Sequence, residues 1–162
     1  MIVKTPAELA ASLKPGERLF GLDLGEKTIG VAVGDTMLSF AAPVETIAKR
    51  KFTLDAEALI ALIKKHAVGG LVIGLPLNMN GTEGPSAQSA RAFARNFDIK
   101  HPLPILFWDE RLSTVAVTRT LLEADVSREK RKEVVDKMAA AFILQGVLDA
   151  IKRGPPPAAR DA

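Results

Sequence analysis

The 162-residue chain contains no cysteine, which excludes disulfides, thiolate metal sites and a cysteine nucleophile. It also lacks any apolar run near the ~20 residues that cross a bilayer. Its first residues show no apolar core followed by a small-residue cleavage site. We therefore expect a cytoplasmic protein without a membrane partner. The length suits one domain, and no internal repeat or linker divides it.

Neither sign of charge dominates, because 22 Lys and Arg oppose 19 Asp and Glu and leave a net charge of +3. Basic residues are nevertheless clustered at 49–51 and 128–132, where they can contact phosphates or simply be solvated. The Pro- and Ala-rich segment 154–162 is expected to end the last helix and form a disordered tail. Residues 1–153 are then the single folded domain.

Hydrophobic patterning predicts strands at 18–24, 28–35, within 38–48, 70–75 and 104–108. Helices are predicted at about 5–13, 53–66, 86–97, 113–124 and 132–153, with Thr5 as the first N-cap. Pro43 indicates an edge strand or a bulge. The first three strands can form an antiparallel meander, and the later two, separated by helices, should join in parallel. The predicted fold is α/β, a mixed five-stranded sheet with helices on both faces.

A carboxylate stands inside the first predicted strand, in "LFGLDLGEKTIGVAVGD". Burying an ionised Asp23 is costly unless another group pairs with it or a metal neutralises it. The glycines at 21 and 25 leave room for a metal or phosphate to approach the backbone. An ordinary alternative is that Asp23 caps the turn before the second strand.

Two further acids follow later in the chain. In "FWDERLST", strand alternation places Glu110 on the face of Leu106 and Trp108, and Asp109 on the other face. In "VVDKMAAAFILQG", helical spacing places Asp136 on the apolar stripe that contains Ala140. Each acid has an ordinary alternative. Glu110 could simply mark the end of the strand, and Asp136 could be a first-turn acid that the helix dipole favours.

Taken together, Asp23, Glu110 and Asp136 suggest one catalytic and metal-binding group. Three carboxylates do not stay ionised side by side without a cation. Oxygen ligands and the absence of cysteine favour Mg²⁺ or Mn²⁺ over zinc, and neither histidine lies in a metal-spaced motif. Carboxylate-held divalent cations suit phosphodiester hydrolysis.

Four segments in this order resemble the YqgF/RuvX family of Holliday junction resolvase-like and pre-16S rRNA nucleases. They are "LFGLDLGEKTIGVAVGD", "VIGLPLNMNGTEG", "FWDERLST" and "VVDKMAAAFILQG", and the similarity spans about residues 17–152. The resemblance implies an RNase H-like fold, a divalent-metal-dependent nuclease and a role in maturing the small-subunit ribosomal RNA of bacteria. It assigns the family's acids to Asp23, Glu110 and Asp136.

RNase H-like nucleases often carry a fourth acid, and this chain departs from that pattern. Position 139, one turn after Asp136, is Ala, and Asp109 is the nearest substitute. A second metal would then be held loosely, or only together with substrate phosphate. Residues 77–85 lie where a flap over the site is expected. Candidate nucleic-acid contacts are Lys27, Asn78, Asn80, Thr82, Arg111, Arg128, Lys130, Arg131 and Lys132.

Other functions remain open on sequence alone. A DNA endonuclease that resolves branched junctions would need two active sites, hence a dimer, whereas a precursor-rRNA nuclease acts as a monomer or homodimer, alone or on the small ribosomal subunit or its precursors. A non-catalytic RNA-binding assembly factor is a further alternative. The "DLG" turn also occurs in the sugar kinase, actin and Hsp70 ATPases, but those clamp nucleotide between two such domains, and this chain has one.

Overall fold

The computed structural model describes residues 1–112 and 128–154, with the side chains of residues 1–111 and 137–154. In this part of the chain a six-stranded mixed sheet has the order β1-β6-β5-β2-β3-β4. The strands are β1 (Ile2–Val3), β2 (Arg18–Leu24), β3 (Thr28–Gly34), β4 (Ala41–Ala48), β5 (Val68–Leu75) and β6 (Ile105–Asp109). The helices are α1 (Pro6–Ser12), α2 (Phe52–Lys65), α3 (Pro85–Lys100) and α4 (Arg128–Arg153).

The predicted topology is confirmed in its main lines. Strands β2, β3 and β4 pair antiparallel in a meander, and β5 and β6 add to β2 in parallel. Strand β4 lies at the edge of the sheet, and its register shifts opposite Val31 and Ala32, beside Pro43. Proline is accommodated at such places because it has no amide hydrogen to donate to a neighbouring strand.

The prediction of five strands was wrong by one. Residues Ile2 and Val3 pair in parallel with β6 and form a short sixth strand at the other edge. Two residues are too few to show a strand periodicity, so only the docking of the N-terminal segment reveals β1. Helix α1 follows as predicted, since the Thr5 hydroxyl accepts a hydrogen bond from the amide of Glu8 and Pro6 occupies the first turn.

The sheet separates two apolar cores, one on each face. One core packs under α2 and α3 and receives Phe20 and Leu22 from β2. The other core packs under α1 and α4 and receives Leu19 from the same strand. All eight residues of β5 are buried, as expected of a parallel strand covered on both faces. Within the described residues, no helix is long and apolar enough to span a bilayer.

Helix α4 begins earlier than expected. It starts at Arg128 instead of residue 132, so the basic cluster 128–132 forms its first turns. The helix predicted at 113–124 and the tail beyond residue 154 lie outside the described residues. The single-domain boundary at residue 153 and the disordered tail therefore stay predictions.

Candidate active site

Asp23 lies near the carboxyl end of β2, on the sheet face that α4 covers. Its side chain is 4% exposed, and Asp23 and Asp55 are the buried carboxylates among the described side chains. The neighbouring Leu22 turns into the opposite core, so the period-two alternation of the strand directs Asp23 toward α4. The structure thus confirms that a carboxylate is buried within an apolar strand, as the sequence indicates.

Glu110 approaches the same face from the end of β6. It is the first residue of the 3₁₀ turn Glu110–Leu112 that follows the strand. A Cβ placed on Gly74 of β5 would lie 2.8 Å from Oε1 and 3.2 Å from Cγ of Glu110. The side chain of Glu110 therefore lies over Gly74, in space that any other residue would fill.

The strand register brings Asp23 to the other side of the same glycine. Leu22 pairs with Ile73 in the parallel β2–β5 ladder, so the next positions, Asp23 and Gly74, are neighbours. The backbones of β2 and β6 are two strand spacings apart, roughly 10 Å. Because the long Glu110 side chain leans across Gly74, the two carboxyl groups flank one small space at the carboxyl ends of parallel strands. Ligands collect at this edge in open α/β sheets.

Helix α4 passes over this space in a direction that suits the third acid. Leu148 lies beside Gly34, near the start of β2, whereas Ala140 and Leu144 press on Gly21 in the middle of that strand. The helix therefore runs antiparallel to β2, and its backbone reaches the Asp23 end of the strand one turn before Ala140. Asp136 occupies that turn. Its side chain is outside the described set, so its convergence with Asp23 and Glu110 stays a prediction.

The two glycines next to Asp23 have other roles than the sequence suggested. A Cβ on Gly21 would lie 2.7 Å from the Ala140 carbonyl oxygen and 2.7 Å from Leu144 Cβ, so this glycine admits α4 and not a metal. The nearest atom to a Cβ on Gly25 is the Thr28 carbonyl oxygen at 3.1 Å, within the β2–β3 turn. Gly74, which sequence reasoning missed, clears the space at the site, and the available signal was a glycine inside a buried strand.

Asp109 forms an ion pair with Arg111. Its carboxylate accepts hydrogen bonds from Arg111 Nε at 3.1 Å and from Nη2 at 2.8 Å, and the Arg111 amide donates a third at 2.9 Å. The guanidinium holds the pKa of the Asp109 carboxyl below its usual range. Asp109 is therefore a poor substitute for a fourth acid. Among the described side chains, which exclude Asp136, no group of three His, Asp or Glu residues is arranged to hold a metal.

The loop at 76–84 stands beside the site, and its polar side chains bond chiefly with one another. Asn78 Nδ2 donates to the Thr82 hydroxyl at 2.9 Å, and that hydroxyl donates to Asn80 Oδ1 at 2.6 Å. Arg111 Nη1 donates to the Met79 carbonyl oxygen at 3.1 Å. The four predicted nucleic-acid residues Asn78, Asn80, Thr82 and Arg111 thus build and anchor the loop. Their contact with a substrate stays a prediction.

Two lysines, Lys27 and Lys49, meet at the β2–β3 turn that directly follows the strand of Asp23. Lys27 is exposed, and its carbonyl oxygen accepts a hydrogen bond from the Lys49 amide at 2.9 Å. Lys49 Nζ in turn donates to the Gly25 carbonyl oxygen at 3.2 Å. Sequence reasoning named Lys27 and missed Lys49, although Lys49 belongs to the basic segment 49–51. The side chains of Arg128, Lys130, Arg131 and Lys132 lie outside the described set.

A second buried acid, Asp55, also escaped sequence reasoning. It is 3% exposed in the first turn of α2, and its Oδ1 accepts a hydrogen bond from the Arg50 amide at 2.9 Å. Asp55 therefore ties the residue that precedes the N-cap to the first turn of α2, on the face of the sheet opposite α4. It gives the chain a buried carboxylate that is separate from the candidate site.

Known proteins resemble this chain over most of its length. The family model described as RuvX: Holliday junction resolvase matches residues 17–150. A protein of Paramagnetospirillum magneticum named "Putative pre-16S rRNA nuclease" is 60% identical over 149 residues, 92% of this chain and 96% of the relative. A protein of Roseobacter denitrificans with the same name is 59% identical over 154 residues, 94% of each chain.

Solved structures with the same fold are resolvases of low sequence identity. RuvC of Thermus thermophilus in complex with a Holliday junction substrate aligns with a TM-score of 0.55 at 10% identity, covering 88% of this chain and 99% of RuvC. The yeast mitochondrial Holliday junction resolvase Ydc2 aligns with a TM-score of 0.50 at 12% identity, covering 90% and 85%. These likenesses confirm the RNase H-like architecture, and the family match adds the activity class. The chain belongs to the RuvX family of Holliday junction resolvase-type proteins and is a nuclease that hydrolyses phosphodiester bonds.

Proposed function

We propose that this nuclease depends on a divalent cation, Mg²⁺ or Mn²⁺, held by Asp23, Glu110 and Asp136. The observation that carries the proposal is the pair of carboxylates flanking Gly74, one of them 4% exposed. Burial removes the water that would otherwise stabilise an ionised carboxylate, and a nearby like charge adds to the cost. A cation between the carboxylates offsets both costs.

The residues present fit such an ion. Carboxylate oxygens are the ligands that Mg²⁺ and Mn²⁺ prefer, and the bare backbone of Gly74 leaves the space in which Glu110 lies. When bound, the cation would supply Lewis-acid stabilisation of the phosphate and a more acidic water. Asp23 and Glu110 would fix its position from two different strands, and Asp136 would close the set from α4.

The same arrangement supports a weaker second ion site. Ala139, one turn beyond Asp136, is 2% exposed and offers no oxygen, and Asp109 is committed to Arg111. We propose that a second ion binds only when substrate phosphate supplies ligands. Calorimetric titration with Mn²⁺ should then show one tight site in the free protein. Two tight sites without nucleic acid would contradict the proposal.

The substrate that we favour is precursor 16S rRNA in the bacterial cytoplasm, cleaved at its 5′ end, on the ribosomal small subunit or its precursors. Support comes from relatives of 59–60% identity that are named for this activity. The second candidate is a branched DNA junction, which the family description and the RuvC complex favour. Junction cleavage by paired nicks needs two active sites and so a dimer. Lys27, Lys49 and the basic start of α4 would bind backbone phosphates of either substrate.

Substitution of Asp23 by Asn tests the metal site. We expect kcat to fall at least about 100-fold, because a metal contributes several kcal/mol to the transition state and each 1.36 kcal/mol is a factor of ten. Asp55→Asn is the matched control, since it also neutralises a buried carboxylate and keeps the oxygen that accepts the Arg50 amide. Asp55→Asn should cleave like the wild type.

The assay uses three substrates side by side: precursor 16S rRNA, single-stranded RNA and a four-way DNA junction. Fluorescence of Trp108, the chain's single tryptophan and two residues before Glu110, reports Mn²⁺ binding independently of cleavage. Full activity of Asp23→Asn would refute the site. Wild-type protein that binds RNA and cleaves none of the three would favour the non-catalytic assembly factor instead.

A further inference from the structure

Met79, at the tip of loop 76–84, is the most exposed large apolar side chain of the described residues. It is 94% exposed. A single exposed methionine is common on protein surfaces and needs no explanation when the backbone around it is mobile. The backbone that presents Met79 is instead held on several sides, which makes its exposure informative.

Hydrogen bonds within the loop hold both sides of the tip. The Asn78 amide donates to the Thr82 carbonyl oxygen at 2.9 Å, and the Gly81 amide donates to the Asn78 carbonyl oxygen at 2.8 Å. Leu77 and Glu83 form an isolated antiparallel bridge at the base of the loop. Together with the Asn78–Thr82–Asn80 chain of side-chain bonds, these contacts define one conformation of the tip.

Two arginines tie the loop to β6, the strand that ends at the site. Arg111 directly follows Glu110, is fixed by Asp109, and donates to the Met79 carbonyl oxygen at 3.1 Å. At the base of the loop, Arg91 pairs with Glu83 at 2.6 Å and lies 4.9 Å from the ring centre of Phe107. The position of Met79 is therefore coupled to β6, the strand that ends one residue before Glu110.

We propose that Met79 contacts an unpaired base of the nucleic-acid strand whose phosphate would bind the cation held by Asp23 and Glu110. This inference rests on the nuclease site proposed above. A thioether is polarisable and packs favourably against aromatic rings, and methionine is among the side chains that insert between base steps. Because the loop is already ordered, little conformational entropy is lost when a base docks on it.

The contact implies a substrate preference. A base within a continuous duplex must be unstacked before it reaches Met79, which costs energy, whereas an unpaired base does not. The enzyme should therefore prefer cleavage next to an unpaired or unstacked nucleotide. Single-stranded ends of an RNA precursor and the branch point of a junction both present such nucleotides, so the preference applies to either substrate.

The test is a binding measurement that does not need catalysis. A set of oligonucleotides, each with 2-aminopurine at a different position, is titrated with Asp23→Asn protein. The fluorescence change at saturation identifies the base that unstacks from its neighbours. Met79→Ala should abolish that change, and Met79→Leu should restore it in part, because leucine supplies the apolar contact but no sulfur. Met37→Ala is the matched control, because Met37 is 79% exposed in the β3–β4 turn at the opposite end of the strands.

Cleavage supplies a second, independent readout. Met79→Ala should lower kcat/KM about 5-fold on a substrate with an unpaired base, as expected for loss of one sulfur–aromatic contact. It should have no effect when that nucleotide is abasic. An equal loss on the abasic substrate would show a purely structural role and overturn the proposal. So would fluorescence changes that match those of Met37→Ala. Failure of the wild type to cleave would refute only the nuclease site, since the 2-aminopurine signal decides on Met79 without it.

Discussion

Substitution of Gly74 by Ala tests the arrangement of the site without removing any charged group. The added Cβ would lie 2.8 Å from Glu110 Oε1 and 2.5 Å from Ile143 Cδ1. Unstrained carbon contacts lie at about 3.5 Å or beyond. The Ile143 methyl must therefore retreat by roughly 1 Å and the Glu110 oxygen by roughly 0.7 Å.

These displacements set two separate magnitudes. Overpacking against Ile143 should lower the free energy of unfolding by about 1–3 kcal/mol. Displacement of Glu110 should lower kcat by about 10- to 100-fold, since misplacement of a catalytic group by 1 Å costs about 100-fold. Urea unfolding measures the first effect, and cleavage under saturating Mg²⁺ with folded protein measures the second.

A second substitution separates stability from catalysis. Ile143→Val removes the clashing methyl and costs about 0.5–1.5 kcal/mol alone. The double variant should lose less stability than the sum of the losses in the two single variants, because the clash with Ile143 is relieved. Activity should stay low, because the new Cβ still displaces Glu110.

Gly34→Ala is the matched control for the Gly74 substitution. A Cβ on Gly34, at the end of β3, would meet Leu148 Cδ1 at an ordinary 3.5 Å. Activity should be unchanged there, and stability should change by less than about 1 kcal/mol. Gly74→Ala with the activity of Gly34→Ala would refute the placement of Glu110. Recovery of activity together with stability in the double variant would refute it as well.

Three further outcomes follow from the contacts. Gly21→Ala should cost about 3 kcal/mol or more in urea unfolding, well above the cost of an alanine in an open strand position, because its Cβ would lie 2.7 Å from the Ala140 carbonyl of a packed helix. Arg111→Ala should speed hydrogen exchange in loop 76–84, and Arg111→Lys should not reverse this, because one ammonium cannot replace the paired bonds to Asp109. Backbone amides of Phe40 and Ser39 lower the pKa of the Asp35 carboxyl. The ionised carboxylate therefore stabilises the fold above its ordinary pKa, and this stabilisation is lost as the pH falls through the pKa of the folded state. Asp35→Ala should flatten the pH dependence of the free energy of unfolding below about pH 4. Unchanged exchange in the first arginine variant, or an unchanged pH slope in the last, would contradict the corresponding contact.

Local patterns predicted much of the secondary structure. The strand from residue 18 to 24 follows from its apolar run, and the N-cap at Thr5 follows from capping; neighbouring residues decide both. Asp55 lies in the first turn of α2, where acids are commonly exposed, yet it is buried and accepts the Arg50 amide, and helical spacing alone does not predict either.

The sequence by itself determined which face of the sheet Asp23 takes. Asp23 alternates with Leu22 along β2, so its orientation depends on its own strand. The orientation of Asp136 toward the stripe of Ala140 stays a prediction from helical spacing. What only the tertiary structure decided is how the elements meet. Three features depend on strand register and helix packing. Gly74 leaves the space for Glu110, Gly21 lets α4 pack closely, and Arg111 binds the Met79 carbonyl oxygen. Those contacts join residues far apart in the chain, and no local periodicity encodes them.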